Sequence, residues 1–249
     1  MPRIGRSHSG SPLAFRRRGL EKCSLHELGR PRARVGNPNT GIPEVVVQPL
    51  YDIYFVAPGT ALPKLTLFTV QQGQQYNSGG VAAFNKGPGH TNIVQPGMLE
   101  SSYTFIVRAL SVYVQALQGQ AHPNLHPEDL NNFLSSFSRF EINHKSYFDG
   151  ILGWLPAAGG PTVSGFGTLT APASMWVAGN GTPQSGNMYK IPGGQTILPQ
   201  ENFDFIIDPT GNAGGNPSTL AAAGNPAGVP GAGLSAWARL DGTLTRVAS

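Results

Sequence analysis

The chain has 249 residues, of which only 12% are charged, together with 33 Gly and 22 Pro. That is enough chain for one sizeable core, with a charge content well below that of an average soluble enzyme. The single cysteine, Cys23, excludes an intramolecular disulfide and a Cys-based metal site, and no apolar run is long enough to span a bilayer or to form a secretory signal core.

The net charge of +4 conceals a division. Residues 1–35 carry +7, from Arg3, Arg6, Arg16, Arg17, Arg18, Lys22, Arg30, Arg32 and Arg34 against Glu21 and Glu27, while the remainder carries −3. Residues 1–43 therefore read as a basic, extended N-terminal arm. Arginine forks pair bidentately with phosphate or carboxylate, so the arm suits a polyanion or an acidic neighbouring protein. A passive tail, an organelle address and an upstream extension from a misplaced start are the competing readings.

From residue 44 onward the texture is that of one β domain, 44–249. Glu44–Gln48 and Tyr51–Val56 read as strands. Lys64–Gln71 alternates with burial on both sides, and a polar, Gly-rich loop follows to about Gly97. Tyr103–Gln115 is the longest β signal, with Phe105, Val107 and Ala109 set on one face against Ile106, Leu110, Val112 and Val114 on the other. Arg108 inside that run reads as a sheet-edge or carboxylate-paired residue. One helix is predicted from Pro127 to near Ser138, with Pro at the first turn, Glu128 and Asp129 at the positive end, and Leu130, Phe133, Leu134 and Phe137 at helical spacing.

A hairpin candidate follows, Arg139–Asn143 and Ser146–Phe148 around a His144–Lys145 connection, with Asp149–Gly150 as a further turn signal. After Leu152–Leu155 comes a Gly/Pro-rich loop, then short strands at Ser174–Val177 and Asn202–Ile207, the latter with Phe203, Phe205 and Ile207 on one face. Residues 209–233 form a long Gly/Pro/Ala-rich loop too poor in large apolar side chains for core. Leu234–Val247 is the last run, and Asp241–Gly242 within it is either a two-residue turn or a bulge. Eight to ten strands separated by long loops predict an all-β sandwich with one inserted helix.

Catalytic motifs are absent: there is no nucleophile elbow, phosphate loop or zinc-protease helix. The chain is not expected to be an enzyme or to carry a cofactor. His122, His126 and His144, with Glu128 or Asp129, match no metal-ligand spacing. Glu141, Asp149, Glu201, Asp204 and Asp208 are explained as strand-end or outward polar positions, although two acids on different strands could converge as in a glycosidase. Trp154, Trp176 and Trp237 could line a sugar-binding surface, but they suit core or interface anchors equally. Asn180–Gly181–Thr182 fits a glycosylation sequon, which matters only on secretion.

Tyr103–Val114, Phe140–Gly160 and Ala238–Val247 resemble segments of the jelly-roll structural proteins of tailless icosahedral bacterial viruses. The resemblance implies a capsid subunit that self-assembles with copies of itself and other capsid proteins, made in the host cytoplasm and residing in the virion. A double jelly roll needs about sixteen strands, so the single form is expected. The arm would then face inward to viral nucleic acid, binding phosphates without reading sequence, or would bind neighbouring subunits. A β-sandwich carbohydrate- or surface-binding module is the alternative.

Overall fold

The computed structural model describes residues 43–57, 64–116, 127–155, 162–166, 175–181, 186–209 and 233–247. Gly41–Ser249 forms one compact unit, and residues 1–42 of the basic arm lie outside the described residues, Pro43 being the first residue of a strand.

The unit is built from antiparallel sheets with little helix. In chain order the strands are β1 (Pro43–Val47), β2 (Leu50–Val56), β3 (Leu65–Leu67), β4 (Gln75–Tyr76), β5 (Phe84–Asn85) and β6 (Tyr103–Ala116), followed by the helix α1 (Pro127–Leu134). Next come β7 (Phe137–Ile142), β8 (Lys145–Ile151), β9 (Thr162–Phe166), β10 (Met175–Gly179), β11 (Tyr189–Ile197), β12 (Phe203–Asp208) and β13 (Leu234–Val247). The larger sheet centres on β13 beside β6. Along its outer edge β13 pairs first with β2 and then with β1, while β6 pairs on its far side with β11 and, at its end, with β10, which carries β9. The smaller sheet has the order β3-β12-β7-β8, and β4 with β5 forms a separate ribbon.

The two sheets share one core. Phe105, Val112, Val114, Ala236 and Leu240 of the larger sheet lie in the same buried cluster as Leu65, Phe140, Phe203, Phe205 and Ile207 of the smaller. Each fully buried large aliphatic or aromatic side chain contributes about 1.5–3 kcal/mol relative to exposure. In β12 the two-residue alternation places Phe203, Phe205 and Ile207 inward, as expected from the sequence.

In β6 the expected faces are wrong after Val107. Phe105 and Val107 join Leu110, Val112 and Val114 in the core, and Ala109 is not part of that cluster. The phase changes because the ladder skips Arg108. Ala109 faces Asp241 and Val107 faces Gly242 on β13, and on the other side Ala109 faces Lys190 and Val107 faces Gln195 on β11. A bulge puts two residues opposite one, which resets the period-two pattern and leaves Arg108 exposed. It also decides the Asp241–Gly242 question in favour of a bulge in the pairing, since β13 runs on without turning.

Other boundaries move for local reasons. β3 stops at Leu67, short of the expected Gln71, because Phe68 takes φ 70° and its N–H turns to the Asp52 carboxylate. The helix ends at Leu134 rather than near Ser138, and Phe137 begins β7. Leu130 and Phe133 anchor the helix in the core. The β7–β8 connection is Asn143–His144 rather than His144–Lys145, because both of those residues take positive φ, 49° and 63°, as a primed two-residue hairpin turn requires. Asp149–Gly150 is strand, not turn.

The short β4 and β5 fall in the region expected as loop, β9 falls in the expected Gly/Pro-rich loop, and β11 was not anticipated. Thirteen strands are therefore described, more than the eight to ten expected. Of the long loop at 209–233, residues 210–232 lie outside the described residues.

Candidate functional site

All nine basic arm residues lie outside the described residues, as do His122 and His126. Among the described residues no helix is long and apolar enough to cross a membrane, and no three His, Cys, Asp or Glu side chains come together around a potential metal position. Arg108 is exposed at its bulge. Four other features have chemical or associative potential.

The first is a contrast between protected and open strand edges. β2 is covered on its free side. The Tyr76 hydroxyl accepts from Phe55 N–H at 3.0 Å and donates to Phe55 C=O at 2.8 Å, and Asn92 Oδ1 accepts from Tyr51 N–H at 3.0 Å. β1 occupies the same side of β13, yet among the described residues nothing pairs with its outer edge, and it exposes Val45 and 87% of Val47. β8 is likewise the last strand of its sheet. Ile151 at its end is exposed, and Trp154, in the 3-10 turn Leu152–Trp154 that follows, is 60% exposed. Tyr189, also exposed, stacks edge-on against Phe148 of β8 at 5.0 Å between centroids. Open strand edges with apolar side chains are templates for association with another chain.

The second is an aromatic cleft of about 320 Å³ on the larger sheet, lined by Tyr51, Ser111, Tyr113, Trp237 and Arg239 among others. The β-ladders set Trp237 opposite Tyr113 on one side and Ile53 on the other, and Arg239 opposite Tyr51. The Trp237 Nε1–H is buried with no partner. Trp154 belongs to the other sheet's margin, so these two tryptophans do not share a surface, and the side chain of Trp176 lies outside the described residues.

The third is an acidic cleft of about 280 Å³ that includes Glu141, His144, Asn202 and Asp204. Glu141 and Asp204 are direct partners across β7 and β12. Burial, then the Glu141 charge, raises the Asp204 pKa above its ordinary 3.8, and Asp204 Oδ1 is buried without a partner. Glu141 is also paired to Arg139 at 3.1 Å. Of the other acids considered, Asp149 pairs with Arg139 at 2.6 Å, and Glu201 accepts from Asn143 Nδ2 at 2.7 Å and from Leu198 N–H at 2.7 Å. They serve local structure.

The fourth was not anticipated from the sequence. Asp52 and Lys86 form an ion pair at 2.6 Å with both side chains 1% exposed. Asp52 Oδ2 also accepts from Phe68 N–H at 2.6 Å, and Lys86 Nζ sits 5.2 Å from the centre of the Tyr76 ring. Burial outweighs the partner's attraction for both groups, so Asp52 is held above 3.8 and Lys86 below 10.5. His90 lies close by, edge-on to Phe55 and Phe84. Its Nδ1 accepts from Gly87 N–H at 3.0 Å, and burial together with the Lys86 charge lowers its pKa. One signal was present in the sequence: Leu50, Asp52, Tyr54 and Val56 share a parity, so Asp52 is a charge on an otherwise core-facing row. No family model, curated protein or solved structure matches this chain.

Proposed function

We propose that the chain is a structural coat subunit, a single jelly roll that assembles with copies of itself into a viral shell. The observation that carries this reading is the strand order. Taking the eight principal strands β2, β3, β6, β7, β8, β11, β12 and β13 in sequence, the larger sheet has the order first-eighth-third-sixth and the smaller second-seventh-fourth-fifth. Two Greek keys wrapped into facing sheets have this order. On this reading β9 and β10 are an insertion at the margin of the larger sheet.

Fold alone does not fix function. Two further features support assembly: a chain only 12% charged, and open edges at β1 and β8 bearing Val45, Val47, Ile151 and Trp154. Each contact of this kind is modest, and many repeated copies close a shell. The arginine-rich arm would neutralise genome phosphates or the carboxylates of a neighbouring subunit.

Light scattering and electron microscopy of the purified full chain test the reading: particles or their ring-like intermediates are expected, and a monomer at all concentrations and salt conditions overturns it. For the arm, deleting residues 1–35 should abolish DNA binding at low salt. Unchanged binding would reject the phosphate role.

The aromatic cleft favours a second reading, a carbohydrate- or surface-binding module. Its Tyr51, Tyr113 and Trp237 offer apolar faces. That reading requires a monomer that binds a glycan array and loses binding on Trp237→Ala.

A further inference from the structure

We propose that Lys86 and Asp52 join covalently, through an amide between Lys86 Nζ and Asp52 Cγ, so that the polar centre becomes a permanent cross-link. The geometry places the reactants. Nζ is 2.6 Å from Oδ1, one bond from the carbon it would attack, and each side chain is almost wholly removed from solvent. Holding two groups in contact converts a slow bimolecular condensation into an intramolecular one.

The step balances without any co-reactant. A proton passes from the ammonium to the carboxylate, giving a neutral amine and a neutral carboxylic acid. Burial favours those forms, since it raises Asp52 and lowers Lys86. The Nζ lone pair then attacks Cγ. Negative charge develops on Oδ2, which already receives the Phe68 N–H at 2.6 Å, a donor placed as in an oxyanion hole. The Cγ–Oδ1 bond breaks, and Oδ1 leaves as water with the acid proton and one amine proton.

Water favours separated ions over the amide, but at this site the ions have lost their hydration and the amide carries no charge to desolvate.

The consequence is mechanical. The link closes a 34-residue separation between β2 and the segment after β5, in a chain whose single cysteine cannot form an internal disulfide. A cross-link of this span restricts the unfolded chain as a disulfide does.

Intact-mass measurement of the purified, denatured full chain is the test. The expected mass is lower than the sequence mass by one water, and proteolysis should release a branched peptide containing both Asp52 and Lys86. Lys86→Arg and Asp52→Ala should each show their full sequence masses. A wild-type chain at full sequence mass, whose Lys86 reacts with an amine-specific reagent once denatured, overturns the proposal. The wild-type reading decides the matter even if neither variant folds, and it is independent of whether the chain assembles.

Discussion

Gly242 lies so close to Ile106 that a Cβ on it would stand 2.0 Å from the Ile106 carbonyl oxygen and 2.8 Å from the Phe105 ring. The contact falls at the bulge where β13 and β6 change register, at the centre of the larger sheet. Gly242→Ala cannot be absorbed by a side-chain rotation, because the first obstacle is backbone. We predict a loss of about 3 kcal/mol, read as a fall in Tm of roughly 6–12 °C for a domain of this size. An unchanged Tm would mean that the strands separate there at little cost.

Lys86→Met removes the amide and the ion pair alike and leaves Asp52 buried without a counter-charge, so the expected cost is at least the roughly 3–5 kcal/mol of a buried pair broken from one side. Combining it with Asp52→Asn removes the stranded charge and keeps an acceptor for Phe68 N–H, so the double variant should unfold at higher denaturant than Lys86→Met alone. Equal midpoints for the two would show that charge imbalance is not the source of the loss.

Asp204 should make stability depend on pH in a defined direction. Its pKa is raised in the folded state, so folding favours its protonated form. The associated stability is complete below the unfolded value near 3.8 and is lost as pH rises through the higher folded value. Asp204→Asn should therefore stabilise the domain at neutral pH by about 0.2–1 kcal/mol, the scale of a like-charge pair set directly across a sheet. The gain should fade as pH drops below 3.8. Denaturant midpoints measured across pH 3 to 8, as roughly spaced points spanning the carboxylate range, check both the sign and the window.

Val47→Lys and Trp154→Ser alter exposed side chains at two open edges. Each should leave Tm within about 1–2 °C of wild type, as for surface substitutions generally, and on the proposed assembly each should shift the size distribution from particles toward free subunits. Particle yield unchanged by the pair would remove these edges from the assembly contacts.

Much of the fold was legible from local pattern. β2, β6, β12 and β13 stand within a residue or two of their expected bounds, because buried strands of five or more residues carry dense β-branched and aromatic character. Strands broken by turn residues were not. In β11, Pro192–Gly193–Gly194 interrupts the run and hides two half-strands that pair on either side of the β6 bulge. The acids show the same limit. Glu141 and Asp204 were each recognised as strand residues, but their direct opposition arises only when β12 pairs with β7. Trp237 was named together with Trp154 and Trp176, whereas the Tyr51 and Tyr113 that complete its cleft come from two other strands.

By itself, the sequence determined the class of structure: a β-rich, weakly charged body after a basic N-terminal stretch, the short helix among the described residues and the positions of the long strands. These follow from composition and from periodicities confined to a few neighbouring residues. Tertiary structure decided which strands are neighbours, where the β6 phase reverses at Arg108, and that Asp52 meets Lys86 out of water. Those outcomes depend on register and on contacts between residues far apart in the chain, and a one-residue shift in a ladder exchanges every inward side chain for an outward one.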